Sequence, residues 1–152
     1  MGLMGVIGDA VLKHGGHTTG VAPHFLKSHE VLHPNLHEIH MVDSMYERRN
    51  LMIELSDAFI AMPGGYGTLD EISEVLMLTI LGEKKYPCGF LNTNGFYDPM
   101  IEMLDKMMNA GFLQSAYRSN AIFADEPADL LTLMRNFVPP QYDKFKTGDI
   151  HK

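Results

Sequence analysis

Cysteine occurs once, at Cys88, and tryptophan not at all. A single thiol can close no intrachain disulfide and build no thiolate metal cluster, which fits a reducing cytoplasm. No apolar run reaches the ~18 residues that a membrane helix needs. The N-terminus also lacks the basic, apolar and small-residue succession of a secretory signal. Basic charge is scarce: 12 Lys and Arg stand against 19 Asp and Glu, for a net charge of -7. Neither a nucleic-acid duplex nor an anionic membrane is therefore an expected partner, because bulk phosphate would go unneutralised. Any phosphate bound here is expected to be held locally.

What is present is the composition of one soluble globular domain: 152 residues, 45% hydrophobic and 20% charged. We expect that domain to span residues 1–138, with a polar, loosely ordered tail over 139–152. Short β-rich runs alternate with longer helical patterns. Thr18 to Ala22, Glu38 to Val42, Asp57 to Met62, Cys88 to Asn92 and Asn120 to Ala124 are the strand candidates. Such alternation predicts βα units on a mostly parallel sheet in a three-layer α/β/α arrangement. AFIAM and CGFL lack polar alternation, as strands covered on both faces do.

Helix signals fall between the strands. Asp98 is the expected N-cap of a helix with Pro99 at its first position, stopped by Gly111; Asp125 or Glu126 with Pro127 opens a last helix through Phe137. MGLMGVIGDAVLKHGG reads as a helix from about Gly2, ended by Gly15-Gly16. No strand precedes it, and the expectation is a fragment of a longer domain.

The most informative stretch is PGGYGTLDE, residues 63–71, between the apolar run DAFIAM and the apolar ISEVLMLTIL. A strand, a glycine-rich turn and a helix beginning near Thr68 would aim backbone N–H groups and the positive end of the helix dipole at an anion. Gly64, Gly65 and Gly67 would permit positive φ and close approach of a ligand, and Thr68 would cap the helix. A tight turn with no ligand is the competing reading. Glu71 also has two readings, since Thr68 to Glu71 is a T-x-x-E capping box. Upstream, with Asp43 as expected N-cap, SMYERRNLMIEL places Met45, Arg48, Met52 and Leu55 on one helical stripe. A guanidinium among core positions needs an anion, either a structural carboxylate or a ligand phosphate. Arg49 lies beside the stripe, with a solvated face as its expectation.

Arg48-Arg49 followed by PGGYGTLDE resembles the LONELY GUY family of cytokinin riboside 5′-monophosphate phosphoribohydrolases, often labelled "possible lysine decarboxylase". PGGYGTLDE matches the family's PGGxGTxxE at every specified position, and MYERR stands in the place of M-x-x-R-K. GLMG at residues 2–5 looks like the end of GGGxxGLMG, whose leading glycines are absent. The resemblance runs from Gly2 to about Phe137. It implies a Rossmann-like homodimer that splits nucleoside 5′-monophosphates into free base and ribose 5-phosphate. Arg48 and Glu71 take the catalytic positions, and Gly64, Gly65, Tyr66, Gly67 and Thr68 form the phosphate and ribose cradle. Glu30, Met45, Arg49 and Asp70 are the remaining substrate-binding candidates. Arg49 stands where lysine is frequent, and Tyr46 where histidine is. No metal and no cofactor are implied. The alternative is a non-catalytic carrier of a phosphorylated cofactor, resembling molybdenum-cofactor carriers, which needs the cradle but no carboxylate aimed at a sugar.

Other features carry weaker signals. His29, His33, His37 and His40 have helical spacing that suits metal ligands, but Pro34 interrupts the run, so a surface loop is expected. The 12 methionines, Met100, Met103, Met107 and Met108 among them, read as core or dimer packing. Val75 to Leu81, apolar nearly all round except Thr79, suggests a helix covered on more than one side, as at a dimer interface. Lysine decarboxylation would need a Schiff-base lysine in a buried pocket, whereas all the lysines fall in polar or helix-surface contexts.

Overall fold

The structure, a computed structural model, describes residues 2–29 and 32–140. It is α/β, and every strand pair among the described residues is parallel, as the Rossmann-like class requires. The chain divides into two compact units, Met1–Ser56 and Asp57–Lys152.

The first unit runs α1 (Leu3–Lys13), β1 (Thr19–Pro23), β2 (Glu38–Val42) and α2 (Met45–Glu54). Gly15, at φ 73°, ends the first helix region as expected. Parallel pairing sets Thr19 opposite Glu38 and Pro23 opposite Val42. The two strands are latched where they begin: Thr18 N donates to His37 Nδ1 at 3.2 Å, Thr18 Oγ1 lies 3.0 Å from the same nitrogen, and His37 N donates to the Thr18 carbonyl at 3.1 Å. His17 stacks on His37 at 4.7 Å. His33 packs against Gly8 and meets Asp9 Oδ1 at 3.0 Å. The histidines thus go to separate tasks.

The N-cap of α2 is Ser44 rather than Asp43. Ser44 Oγ accepts from Glu47 N at 3.1 Å, and Glu47 Oε2 accepts from Asp43 N at 2.9 Å, a capping box reaching one residue further back than usual. Two adjacent cap-forming residues stood in competition, and Ser44 has the extended backbone that a cap requires. The expected core stripe is also displaced. Met45 and Leu55 are exposed, and Ile53 is the buried residue of α2.

The second unit runs β3 (Phe59–Ala61), α3 (Tyr66–Leu81), β4 (Cys88–Leu91), α4 (Asp98–Asn109), α5 (Ser115–Arg118), β5 (Ala121–Ala124) and α6 (Pro127–Arg135), with sheet order β3-β4-β5. Side chains alternate across a strand, and β4 shows what each face meets. The Cys88 side chain faces Thr79 of α3, whereas a Cβ on Gly89 would meet Met134 Sδ at 2.5 Å and Leu130 Cδ1 at 3.0 Å on α6. Helices therefore cover both faces of β4, and its three fully buried residues account for the missing polar alternation. The same expectation for AFIAM fails, because Ile60 on the edge strand β3 is 45% exposed.

Thr79 resolves the apolar run Val75 to Leu81. This lone polar residue points inward and donates to the Val75 carbonyl at 3.0 Å, while Met77 and Leu81 face out. Two expected helix bounds move slightly: Tyr97, not Asp98, is the N-cap of α4, and α6 ends at Arg135. Gly111, at φ 80°, follows the C-cap of α4. Residues 141–152 of the expected tail lie outside the described residues.

Candidate active site

In a parallel sheet ligands gather at the carboxyl ends of the strands. In the second unit those ends are marked by Met62, Asn92 and Asp125. Met62 opens the glycine-rich turn, and its carbonyl accepts the hydroxyl of Tyr97 at 2.7 Å. Helix α3 starts at Tyr66, two residues before the expected position, with Gly65 as N-cap and no side-chain capping bond.

That early start changes the meaning of two residues. Thr68 is the third helical residue and caps nothing; its side chain instead lies over Gly64, where an added Cβ would overlap Thr68 Oγ1 and sit 3.0 Å from Thr68 Cβ. Glu71 is the sixth helical residue, so the capping-box reading fails, because a box needs its Glu three residues after the cap. Glu71 follows Thr68 by three residues and precedes Val75 by four, which puts it on the stripe of α3 next to the buried positions. Helical side chains lean toward the N-terminus, so Glu71 covers the turn that holds Thr68. It is half-buried.

Of the two purposes expected of the glycines, positive φ is not used. None of Gly64, Gly65 and Gly67 has a positive φ. Gly64 is required by the packing of Thr68. At Gly65 and Gly67 an added Cβ would meet nothing within 4 Å, so the described protein does not itself demand glycine there. Tyr66 between them is 93% exposed, and Asp70 is exposed as well.

In the first unit α2 positions Arg48 and Arg49. Arg48 is half-buried, and its Nε donates to the Val21 carbonyl at 3.0 Å. Arg49 is half-buried with its Nε out of solvent, which corrects its expected solvated face. Met45, 39% exposed, begins the same helix. Glu30 lies outside the described residues. A cavity of about 250 Å³ in this unit is lined by Thr19, Val21, Glu38, Met52, Leu55 and Ser56. Thr19 and Glu38 open β1 and β2, so the cavity is at the amino ends of the strands and includes none of the expected residues.

One set of polar residues escaped the sequence reading. Asn92 Nδ2 donates to Asp98 Oδ1 at 2.9 Å and to Asp125 Oδ1 at 3.1 Å, while its Oδ1 accepts from Tyr97 N at 2.6 Å. The available signal was an asparagine ending an apolar strand six residues before an Asp-Pro helix start. Burial holds the Tyr97 hydroxyl above its usual ionisation range, so it remains a donor. Among the described residues, no group of three His, Cys, Asp or Glu could hold a metal ion, and no helix is long and apolar enough to cross a membrane.

Comparison with known proteins gives one consistent family. The family model described as "Possible lysine decarboxylase" matches residues 4–134. A rice protein (Oryza sativa subsp. japonica) named probable cytokinin riboside 5′-monophosphate phosphoribohydrolase LOGL5 is 40% identical over 143 residues, covering 94% of this chain and 58% of the relative. Cytokinin riboside 5′-monophosphate phosphoribohydrolase LOG2 of Arabidopsis thaliana is 38% identical over 143 residues, covering 94% and 67%. The rice protein LOG, of the same activity name, is 40% identical over 139 residues, covering 91% and 57%. The chain thus spans 57–67% of the length of these relatives. With its glycine-rich turn, its paired arginines and this match over most of its length, the chain belongs to the LONELY GUY family, also described as possible lysine decarboxylases.

Proposed function

We propose that the chain acts in hydrolysis of the N-glycosidic bond of nucleoside 5′-monophosphates, cytokinin nucleotides such as N6-isopentenyl-AMP or AMP, releasing free base and ribose 5-phosphate. The observation that carries this reading is the open space over Gly65 and Gly67 at the start of α3. Glycine there suits a phosphate lying against the backbone, held by the N–H groups and dipole of the helix. The activity named for the relatives agrees with it. Lysine decarboxylation does not fit the described lysines: Lys13, Lys85 and Lys106 are exposed, and Lys84 lies 5.6 Å over the Tyr86 ring.

Cleavage of an N-glycosidic bond passes through an oxocarbenium-like state with positive charge on the ribose. An ionised Glu71, leaning toward the turn, would stabilise that charge and orient the attacking water. In the first unit Arg48 is the proposed catalytic residue, meeting the phosphate or balancing charge on the departing base, with Met45 and Arg49 as substrate-binding residues; Tyr66, Thr68 and Asp70 are the substrate-binding residues proposed in the second unit. Anchoring the remote phosphate supplies binding energy for aligning the sugar. We place the domain at residues 1–138 and its work in the cytoplasm, as the scarcity of cysteine suggests. The working form in this reading is a homodimer, for which Leu69, Met77 and Leu81 give α3 an exposed apolar side.

The test is chromatographic: incubate the protein with AMP and with N6-isopentenyl-AMP, look for free base and ribose 5-phosphate, and run Glu71→Gln alongside. Release by the wild type but not by a folded mutant supports the hydrolase. Nucleotide binding without release would favour a carrier.

A further inference from the structure

We infer that Tyr97 is the positioning residue of the glycine-rich turn, fixing the point from which the phosphate cradle departs. The inference rests on the phosphate-binding reading above and adds a residue to it that the motif does not contain.

Tyr97 is itself held at two places. Its ring, 3% exposed, meets Phe90 edge-to-face at 5.2 Å and Phe96 at 5.0 Å. Its backbone N–H is bonded to Asn92 Oδ1, and Asn92 is tied to β5 through its own N–H, which donates to the Ala124 carbonyl at 2.8 Å. Asp98 and Asp125 share the other end of the Asn92 amide. With ring and backbone fixed, the hydroxyl has one place to go, the Met62 carbonyl at 2.7 Å.

Met62 is the last residue before a segment that cannot hold itself. Pro63 has no N–H to donate, and Gly64 and Gly65 have the widest backbone freedom of any residue type. A floppy turn loses more entropy when a ligand orders it, whereas one fixed in advance binds more tightly. The hydroxyl bond anchors the turn at its strand end, and Thr68 over Gly64 fixes it at the helix end.

Tyr97→Phe removes the hydroxyl and keeps the aromatic contacts. Three measurements on the full chain decide its role: melting temperature, amide hydrogen exchange across residues 62–68, and KM and kcat for AMP. The expected result is faster exchange in that segment alone, a KM raised about five- to tenfold, and kcat changed less than KM. A mutant that melts lower but keeps the wild-type KM, or that fails to fold, would overturn the inference, since the bond would then support the fold and not the turn. Unchanged exchange would overturn it too. If the wild type neither binds nor cleaves AMP, the phosphate reading fails, and the exchange measurement still decides whether Tyr97 holds the turn.

Discussion

Thr68 lies over Gly64 so closely that its hydroxyl occupies the place a side chain at residue 64 would take. Gly67, one residue before Thr68, faces open space. The two glycines of one motif therefore answer to different demands, and alanine separates them.

Gly64→Ala should displace Thr68 and destabilise the protein by about 1–3 kcal/mol, as overpacking does. Gly67→Ala sits inside the first turn of α3 with room for its methyl. It should leave stability unchanged or raise it by up to about 1 kcal/mol through the unfolded state, while weakening nucleotide binding tenfold or more. Thermal melts and calorimetric titration with AMP would check both. Unchanged affinity in Gly67→Ala would mean that no ligand approaches that backbone.

Glu71→Gln should cost catalysis about a hundredfold or more in kcat with a melting temperature near that of the wild type. Glu71 lies outside the capping position of α3, so no helix cap is lost with its charge. Equal turnover would remove it from the chemistry.

Asn92 is buried between Asp98 and Asp125, to which its amide donates. Asn92→Asp would replace that donor by a third carboxylate and should destabilise the protein by roughly 2–3 kcal/mol at neutral pH. Repulsion would raise the folded-state pKa of the new carboxyl above its unfolded value. The penalty should therefore shrink as the pH falls and the group takes up a proton. Denaturant midpoints at pH 7 and pH 5 would show the gap to wild type narrowing.

Burial pushes the Cys88 thiol from 9.0 up to about 12, partly opposed by its bond to Thr79. The folded value is the higher one, so the stability held by the neutral thiol is full below pH 9.0 and is lost as pH rises toward 12. A disulfide reagent should leave the native protein unlabelled at pH 8 and label it fully in denaturant. Rapid native labelling would place the thiol nearer solvent than β4 does.

The five strands among the described residues were legible as short β-rich runs between helical patterns. Their edges were less so. Ile60 looked covered in AFIAM, but position in the sheet, which no run of residues encodes, left it on an edge strand. Helix starts were misjudged where several capping residues competed: Ser44 prevailed over Asp43, and Gly65 took the place expected of Thr68. The short helix α5, four residues long, has no period to read. PGGYGTLDE marked the turn between β3 and α3 from sequence alone. The Asn92 clamp did not, because Asp125 reaches it only after β4 and β5 pair and bring positions 33 residues apart side by side.

Helix α3, 16 residues long, begins on a glycine that lends no side-chain bond to its first turn. On the phosphate reading the nucleotide is itself the cap. The melting point of the protein would then report metabolite concentration, with ligand at a hundred times its Kd adding roughly 2.7 kcal/mol. Abundance of the folded chain in a cell would follow the supply of nucleotide that it consumes.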